Sequence, residues 1–321
     1  MIENKNILVT GGAGFIGSHL VEKLLSHGNF VFILDNFNDY YDGKEKNVEE
    51  VTQNYKSSKE YKVISGDIKN ETVYQQINKK IEIIFHLAAQ AGVRYSLKHA
   101  SEVTTNNITG TVNIFEYGRK QNIQKIAFAS SSSVYGNPQY TPLDEKHPKN
   151  PISPYAVTKL CGEEFADYYF REYNLPITSL RFYTVYGPRG RPDMAIRKFF
   201  NLILDEKEIT IYGDGEQKRD FTYVADIVDG LILAAEKKKA SGKSFNLGYS
   251  NPITVNELVN KMYNITGKKK KVKYIEKQKG DVEITYSNTE KAKRILGYLP
   301  KVHIDKGLKK TYQWHIETER N

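Results

Sequence analysis

Apolar runs of strand length alternate with helical patterns through the first half of the chain. The runs NILVT, NFVFILD, YKVISGD, IEIIFHLAA and QKIAFASSS have the length and apolar content of buried strands. Apolar residues at helical spacing lie between them, as in SHLVEKLLSHG and TGTVNIFEYGRKQ. This β-α-β-α order, with strands that are apolar on both faces, predicts an α/β fold in which helices cover both sides of a parallel sheet.

The alternation loosens in the second half of the chain. A sixth predicted strand, PITSLRFYTV, follows a helix that starts near Tyr155, and the loop GPRGRPD comes next. A helix near 194–206, the strand EITIYGDG and short mixed elements follow. We therefore expect a first lobe at residues 1–187 and a smaller α/β lobe at 188–321. The helix ADIVDGLILAAEKK and the strand SFNLG, in a segment at about 224–248, are expected to return to the first lobe.

Composition is typical of a globular protein, since 39% of the 321 residues are hydrophobic and 26% are charged. No apolar run reaches the roughly 18 residues that a membrane span requires. The N-terminal sequence lacks the pattern of a signal peptide. The single cysteine, Cys161, excludes a disulfide framework and a zinc cluster within the chain. We expect a cytoplasmic protein with no membrane partner and no metal site.

The formal net charge of +9 raises the question of nucleic-acid binding. The densest basic run, GKKKKVKYIEK, covers residues 267–277. We favour a solvated turn before a surface strand, or a weak attraction for anionic small substrates, because no nucleic-acid recognition motif accompanies the charge. No nucleic-acid partner is expected.

A glycine cluster joins the first predicted strand to the first helix. Gly12, Gly14 and Gly17 satisfy the G-x-G-x-x-G pattern, and Gly11 adds a fourth glycine. In this context glycines permit a tight turn, close approach of the backbone to a pyrophosphate and close packing of helix on strand. The pyrophosphate would lie at the helix N-terminus, where free N–H groups favour anions. The predicted dinucleotide contacts are Gly11, Gly14, Phe15, Ile16 and Gly17.

Asp35 ends the second predicted strand, about twenty residues after the glycines, where a carboxylate can bind the ribose 2′-OH. A carboxylate there would repel a 2′-phosphate, so we expect NAD rather than NADP as the cofactor. The alternative is an ordinary turn residue at a strand end. Asp67 follows the third strand, near the expected adenine, and small residues follow the fourth. The further predicted cofactor contacts are Asn36, Asp67, Ile68, Leu87, Ala88 and Ala89.

Tyr155 and Lys159 form a Y-x-x-x-K pair on one face of a predicted helix. Ser153 and Pro154 precede the helix as a candidate N-cap and first residue. The same spacing occurs at Tyr40/Lys44 and Tyr55/Lys59. Those two pairs lie in a polar, irregular stretch, so context and not spacing favours the pair at Tyr155.

The Tyr155 pair suits proton transfer that accompanies hydride transfer. A tyrosine has a pKa near 10 and is a poor base at neutral pH. A lysine ammonium one helical turn away, together with a positive nicotinamide ring, would favour the phenolate. That phenolate could take a hydroxyl proton while hydride goes to NAD⁺, and a serine from the preceding run, Ser130 to Ser133, could bridge substrate and tyrosine. The alternative is a surface tyrosine, a solvated lysine and a serine-rich turn.

The motifs TGGAGFIG, LDNF, HLAA, SSSSVYG, PYAVTK, VYGPRGRPDM and GDGEQKRDFTYVADIV cover nearly the whole chain. In this order they resemble the extended short-chain dehydrogenase/reductases, and more narrowly the NAD-dependent nucleotide-sugar epimerases. The resemblance implies a Rossmann-like, doubly wound first lobe and tightly held NAD. It implies Tyr155 as acid and base, Lys159 as its partner and Ser131 as the hydroxyl next to the reacting sugar oxygen. It also implies a homodimer formed by helices of the first lobe.

The residues after Ser131 distinguish reactions within this family. The 4,6-dehydratases carry an Asp–Glu pair where this chain has Ser132 and Ser133, and UDP-glucuronate decarboxylases carry a glutamate in an SEVYG segment that here reads SSVYG. Both reactions are therefore disfavoured. The stretch RFYTVYGPRGRPDMAIRKFF resembles the UDP-glucuronate 4-epimerases, in which Thr184 and Arg191 match residues around the sugar carboxylate. The stretches NFNDYYD and AAQAGVRYSL, the second of which contains Arg94, also resemble the UDP-glucuronate 4-epimerases.

The leading hypothesis is interconversion of UDP-glucuronate and UDP-galacturonate through a transient 4-keto sugar. Ser132, Ser133, Thr184 and Arg191 would hold the carboxylate, although Arg189 stands where the family favours an aromatic residue, which leaves open which arginine faces the sugar. A UDP-glucose/UDP-galactose epimerase, or an N-acetylated version, is the alternative enzyme, and a non-catalytic NAD sensor is the alternative of another class. The family also implies nucleotide anchors in the second lobe, which are Arg219 for the diphosphate and Asp281, with Lys279, for the nucleotide region.

Overall fold

The structure is a computed structural model that describes residues 2–277 and 282–319. Its strands are β1 (Asn6–Thr10), β2 (Phe30–Asp35), β3 (Tyr61–Ser65), β4 (Ile83–His86), β5 (Lys125–Ser131), β6 (Ile177–Phe182), β7 (Thr184–Tyr186), β8 (Ile209–Tyr212), β9 (Lys218–Arg219), β10 (Phe221–Tyr223), β11 (Lys243–Leu247), β12 (Ile253–Thr254) and β13 (Val272–Ile275).

The α-helices connect these strands and cover the sheet. They are α1 (Phe15–Leu25), α2 (Lys44–Thr52), α3 (Val93–Lys98), α4 (Ala100–Thr104), α5 (Gly110–Lys120), α6 (Pro154–Tyr173), α7 (Ala195–Leu204), α8 (Val224–Glu236), α9 (Val255–Thr266), α10 (Glu290–Leu296) and α11 (Ile304–Glu319). A π-helical turn, Thr105–Thr109, joins α4 to α5.

A seven-stranded sheet in the order β11-β6-β5-β4-β1-β2-β3 forms the centre of the fold. All of its pairings are parallel, so the carboxyl ends of the strands lie along one edge. The strand order reverses between β1 and β4, which is where doubly wound sheets open a ligand crevice. The predicted α/β fold with a Rossmann-like doubly wound sheet is confirmed.

The core lies on both faces of this sheet. Ile7 and Val9 of β1 pack in the cluster that contains Val21 of α1, while Leu8 packs on the opposite face with Phe115 of α5. Successive side chains of a strand point to opposite faces, so a strand buried on both sides must be apolar throughout. Each such side chain contributes about 1.5–3 kcal/mol by burial. The continuous apolar runs in the sequence are therefore explained.

The predicted sixth strand is divided into two strands in the structure. β6 belongs to the large sheet, whereas β7 pairs in parallel with β10. At the break, the Tyr183 N–H donates to the Leu247 carbonyl at 3.1 Å and the Thr184 N–H donates to the Asp220 carbonyl at 3.1 Å. The chain is redirected here, and Tyr183 and Thr184 reach the cavity described below.

Short strand pairs, β8 with β13 and β9 with β12, build the rest of the second half with α7, α9 and α11. β11 pairs in parallel with β6 at the edge of the large sheet, so residues 243–247 lie in the first lobe's sheet. The lysine-rich residues 268–271 precede β13. None of the helices in the described ranges is long and apolar enough to cross a membrane.

Candidate active site

A cavity of about 950 Å³ opens at the carboxyl edge of the sheet and extends towards β8, β9 and α7. Every predicted site residue that the structure describes lines it. On the dinucleotide side these are Gly11, Gly14, Phe15, Ile16, Gly17, Asp35, Asn36, Asp67, Ile68, Leu87, Ala88 and Ala89. The other predicted site residues that line it are Arg94, Ser131, Ser132, Ser133, Tyr155, Lys159, Thr184, Arg191 and Arg219. Asp281 and Lys279 lie outside the described residues.

The glycine loop brings bare backbone to the cavity. Gly11 has a φ of +69°, which favours glycine, and its N–H donates to the Leu34 carbonyl at 2.8 Å. A Cβ on Gly17 would lie 2.0 Å from the Gly11 oxygen, so a side chain there is excluded. Gly14 is the N-cap of α1 and contributes no side chain to the helix terminus. The loop therefore fits a phosphate group at a helix N-terminus.

Tyr41 lies at the same helix terminus and was not identified from the sequence. Its phenol oxygen accepts a hydrogen bond from the Phe15 N–H at 3.2 Å. Tyr41 belongs to residues 36–43, the loop between β2 and α2, which also contains Tyr40. The sequence contained a signal, since NFNDYYD is a tyrosine-rich stretch directly after the expected ribose-binding aspartate. Its contact with α1 depends on loop geometry that the pattern does not determine.

Asp35 joins the glycine loop to the loop that follows β2. Its carboxylate accepts hydrogen bonds from the Ala13 N–H at 3.1 Å and from the Phe37 N–H at 3.0 Å. Burial raises the pKa of Asp35, and the backbone N–H groups oppose this shift. A carboxylate oxygen can accept more than one hydrogen bond, so these contacts are compatible with a further donor from the cavity. Asp35 thus supports the glycine loop in addition to its predicted ribose contact.

Ser131 and Ser133 form a small hydrogen-bonded relay at the end of β5. Ser131 Oγ accepts hydrogen bonds from the Ser133 N–H at 3.1 Å and from the Ser133 hydroxyl at 2.9 Å. Ser131 in turn hydrogen-bonds to Tyr155, which lowers the pKa of that phenol. Ser133 therefore orients Ser131, so that the Ser131 hydroxyl is directed to Tyr155.

The helix that carries Tyr155 begins as predicted. Ser153 Oγ accepts the Ala156 N–H at 3.2 Å, and Pro154 is the first helical residue. Tyr155 and Lys159 both face the cavity. Burial raises the pKa of Tyr155, and the positive charge of Arg191 and the Ser131 hydrogen bond oppose that increase.

Lys159 contacts the end of β5 in addition to lying near Tyr155. Its Nζ donates to the Ala129 carbonyl at 2.7 Å and lies 5.9 Å from the centroid of the Tyr155 ring. Burial lowers the pKa of Lys159 to about 8, against the charge of Glu163, which raises it. The carbonyl contact directs the Lys159 ammonium group to the end of β5. Arg191 supplies a second positive charge near Tyr155, which lowers the pKa of that phenol.

A buried ion pair lies behind this site, and the sequence motifs did not predict it. Glu163 accepts hydrogen bonds from Arg181 Nε at 2.9 Å and Nη2 at 2.6 Å, and from the Ser130 hydroxyl at 2.5 Å. The Arg181 and Glu163 side chains are only 4% and 3% exposed. Glu163 lies four residues after Lys159, on the same helix face. That spacing was the available signal, but an acidic residue in a helix is ordinarily solvated.

The two arginines of GPRGRPD lie in different environments. Arg189 is buried and forms ion pairs with Glu22 of α1 and Glu50 of α2. Arg191 lines the cavity, where its Nε and Nη2 donate to Asp193 at 2.9 Å and 2.8 Å. Of these two arginines, Arg191 thus lines the cavity and Arg189 does not.

Two further predicted arginines, Arg94 and Arg219, lie at the end of the cavity formed by β8 and β9. The guanidinium carbon of Arg94, in α3, is 4.7 Å from the centroid of the Tyr212 ring in β8. Arg219, in β9, donates from Nη1 to the Lys218 carbonyl at 2.9 Å. Both side chains therefore border the cavity at its β8 and β9 end. No group of three or more His, Cys, Asp or Glu side chains that could hold a metal ion occurs in residues 2–277 and 282–319.

Comparisons with known proteins agree with this architecture. The family model described as GDP-mannose 4,6 dehydratase matches residues 8–311. A UDP-glucuronate 4-epimerase of Thermodesulfobacterium geofontis is 40% identical over 97% of this chain and 96% of its own length. The structure of a Bacillus cereus UDP-glucuronic acid 4-epimerase in complex with UDP-glucuronic acid and NAD aligns with a TM-score of 0.90 and 35% identity, over 97% of this chain and 99% of that one.

A Thermotoga maritima UDP-glucose 4-epimerase, solved with UDP-glucose, aligns with a TM-score of 0.89 and 36% identity, over 98% of this chain and 99% of that one. The resemblance stated from the motifs is confirmed. With a family match over almost its whole length and relatives of this similarity, the chain belongs to the GDP-mannose 4,6 dehydratase family of extended short-chain dehydrogenase/reductases.

Proposed function

We propose that this protein is an NAD-dependent 4-epimerase that interconverts UDP-glucuronate and UDP-galacturonate. One observation carries the proposal: a single cavity contains the Ser131–Tyr155 relay and the guanidinium of Arg191, whose charge acts on Tyr155. A uronate offers this guanidinium a carboxylate partner, which a neutral hexose lacks. The T. geofontis and B. cereus epimerases support the same assignment.

NAD fits the dinucleotide side of the cavity. The glycine loop would present backbone to a pyrophosphate at the N-terminus of α1, where Gly14 contributes no side chain. Gly17 lets α1 pack closely on this loop, since a Cβ there would meet the Gly11 oxygen. Asp35 would bind the adenosine ribose, and its carboxylate disfavours a 2′-phosphate. Asn36, Asp67 and Ile68 would surround the adenine end, with Leu87, Ala88 and Ala89 along the fourth strand's end. When bound, NAD accepts hydride from the sugar C4 and returns it.

Tyr155 would move the proton in this reaction. As the C4–H bond breaks, Tyr155 takes the proton of the C4 hydroxyl and leaves a 4-keto sugar. Ser131 donates a hydrogen bond to Tyr155 and stabilises its phenolate. On return, the C4–H bond forms on the opposite face of the sugar and Tyr155 gives the proton back. The hydride and the proton that leave the sugar are both returned to it, so the net change is inversion at C4.

Inversion requires the 4-keto sugar to turn over while the nucleotide stays in place. Arg219, at the end of the cavity near β9, is the proposed diphosphate anchor. Asp281 is proposed for the nucleotide region from the family resemblance alone. Arg94 borders the same part of the cavity through its contact with Tyr212. A fixed nucleotide and a mobile sugar allow both faces of C4 to reach Tyr155 in turn.

The sugar carboxylate must be held during this turnover, because a 4-keto glucuronate is a β-keto acid that readily loses CO₂. Arg191, Thr184, Ser132 and Ser133 are the proposed hold. Ser133 stands where the decarboxylases have a glutamate, and its hydroxyl bonds to Ser131. The pocket thus lacks that acid and contains hydroxyl donors in its place.

Glu163→Gln is expected to move the alkaline limit of activity to lower pH. The pKa of Lys159 is about 8 because burial disfavours its charged form, and the Glu163 charge opposes this shift. Removing the charge lowers the pKa of Lys159 further, so the ammonium group is lost at lower pH. The variant should also be destabilised by about 3 kcal/mol, since one partner of a buried ion pair is neutralised. The measurements are a pH profile of kcat/KM and a thermal unfolding curve.

Glu116→Gln is the matched control for Glu163→Gln. Glu116 pairs with Arg119 on a partly exposed surface and lies away from the cavity. The same charge change should leave the pH profile in place. If the alkaline limits of both variants coincide with that of the wild type, Glu163 does not influence the proton relay.

A neutral-sugar 4-epimerase is the second candidate, favoured by the T. maritima structure and by the Arg191–Asp193 pair, which gives the pocket less net charge than a lone arginine. A proton NMR time course separates the two. Purified protein is mixed with UDP-glucuronate or with UDP-glucose, without added NAD. Growth of the UDP-galacturonate anomeric signal in the first tube alone supports the uronate epimerase with retained NAD. Conversion of UDP-glucose alone contradicts it.

We also propose a homodimer formed through α3 and α6. Val157, Phe165 and Tyr168 lie on one face of α6 and are exposed, as is Leu97 of α3. Phe165→Asp should convert the dimer to a monomer, because a carboxylate would be buried in the interface. Light scattering coupled to size exclusion measures the mass. Leu299→Asp, at an exposed leucine in another part of the chain, is the control and should stay dimeric. A wild-type monomer contradicts the proposal.

Two coarser assignments accompany the function. Residues 1–187, with a segment at about 224–248, are proposed as the NAD-binding lobe and the rest of 188–321 as the nucleotide-sugar lobe, which the pairing of β11 with β6 supports. A cytoplasmic location is proposed from the cofactor chemistry and from the free Cys161.

A further inference from the structure

We infer that Asp193 is a positioning residue that holds Arg191 for the carboxylate of the substrate, and that Tyr40 holds Asp193 in turn. The inference rests on the proposed function. Arg191 Nε donates to Asp193 Oδ1 at 2.9 Å and Arg191 Nη2 donates to Oδ2 at 2.8 Å. This bidentate contact occupies one edge of the guanidinium and fixes its plane.

The Asp193 contact leaves donors on Arg191 for a second acceptor. A guanidinium has five N–H donors in a rigid fork, and Asp193 accepts two of them. A sugar carboxylate can therefore approach the Nη edge while Asp193 keeps the Nε edge. Because the two carboxylates use different edges, Asp193 need not leave when the substrate binds.

Tyr40 connects this pair to α3 and its N-cap residue, Gly92. Its hydroxyl donates to Asp193 Oδ2 at 3.2 Å, and the Arg191 guanidinium carbon lies 5.6 Å from the centroid of its ring. The Tyr40 ring packs edge-on against Tyr95 at 5.0 Å. A Cβ on Gly92 would lie 2.6 Å from the Tyr40 hydroxyl oxygen, so Gly92 leaves the space that this hydroxyl needs.

The electrostatics of Asp193 agree with a permanent contact. Burial alone would raise the pKa of Asp193, but the hydrogen bonds and charge of Arg191, with the Tyr40 hydroxyl, hold that pKa below its ordinary value. Asp193 is therefore ionised at neutral pH. A free arginine side chain has many rotamers, and a partner that restricts them lowers the entropy lost when a ligand binds.

The test compares Asp193→Ala with Asp193→Asn in the full chain. Asp193→Ala should raise the KM for UDP-glucuronate and the Kd for UDP-galacturonate about tenfold, the loss expected for a charge-assisted contact. The Kd for UDP should stay within about twofold, because UDP has no uronate carboxylate. Asp193→Asn keeps the shape and one acceptor oxygen and should recover part of the affinity. Tyr40→Phe should have a smaller effect in the same direction.

A double-mutant cycle with Arg191→Ala supplies the decisive comparison. If Asp193 acts through Arg191, adding Asp193→Ala to Arg191→Ala should cost no further uronate affinity. Tighter uronate binding by Asp193→Ala would overturn the inference, since Asp193 would then compete with the substrate. Equal weakening of UDP and of UDP-galacturonate would overturn it too, since Asp193 would then be a general structural residue.

Failure of the proposed function gives a different result. A wild-type protein that binds UDP-galacturonate no better than UDP, and that converts neither uronate, contradicts the proposed function itself. A wild-type protein that converts UDP-glucuronate, combined with an Asp193→Ala variant of unchanged KM, contradicts the inference alone.

Discussion

Tyr155→Phe is expected to lower kcat for epimerisation by about 10³-fold, within the range that general acid–base catalysis contributes. The substitution keeps the ring and removes only the hydroxyl that hydrogen-bonds to Ser131 and faces Arg191. The C4 hydroxyl of the sugar then has no group to take its proton. Affinity for the nucleotide sugar should change by less than about threefold, because the proposed anchors for the diphosphate and the carboxylate are unaltered. Steady-state kinetics and equilibrium binding measure the two quantities.

Tyr263→Phe is the matched control for this loss. The Tyr263 hydroxyl donates to the Lys271 carbonyl at 2.9 Å, outside the cavity. The Tyr263→Phe variant should retain the wild-type kcat. If Tyr155→Phe kept more than about a tenth of the wild-type kcat, another group would be the base and the assignment of Tyr155 would be wrong.

Arg191→Ala should lower kcat/KM for UDP-glucuronate by about 10²–10³-fold, because truncating one member of a hydrogen-bonded charge pair costs several kcal/mol. Asp193, which loses its partner, is about half exposed and stays solvated, so the fold should remain intact. With the carboxylate no longer held, a larger fraction of the turnovers that still occur should release CO₂. Product analysis by NMR and a carbon dioxide assay with UDP-glucuronate measure both effects.

Arg191→Lys separates charge from geometry, since lysine keeps the charge but cannot form a bidentate contact. Its activity should fall between those of the wild type and Arg191→Ala. Any activity with UDP-glucose should be the same in both variants as in the wild type. Unchanged epimerisation and unchanged CO₂ release in Arg191→Ala would show that Arg191 does not hold the carboxylate.

Much of the fold follows from the sequence because each central strand is apolar on both faces and each is followed by a helical pattern. The division of PITSLRFYTV could not be predicted, since no glycine, proline or other turn residue marks the break after Phe182. It is the parallel pairing of Thr184–Tyr186 with Phe221–Tyr223, more than thirty residues away, that removes β7 from the large sheet. Tertiary pairing decides such breaks, and local propensity does not.

The candidate site was predictable where a residue type is required by backbone space or by proton chemistry, as at Gly17 and Tyr155. It was less predictable where a side chain acts through contacts distant in sequence. Glu163 and Tyr41 contact their partners only in the folded chain. Arg189 is likewise held away from the cavity by acidic residues of α1 and α2, which a sequence motif does not show. Charge partners of this kind do not appear in a motif.

The most direct test of the account uses UDP-glucuronate that carries deuterium at C4. The protein is incubated with this substrate in ordinary water without added NAD, and the UDP-galacturonate formed is analysed by NMR and mass spectrometry. The account predicts UDP-galacturonate with deuterium almost fully retained at C4, because the same hydride is removed and returned within one site. Product with hydrogen from water at C4, or the absence of UDP-galacturonate, would contradict it.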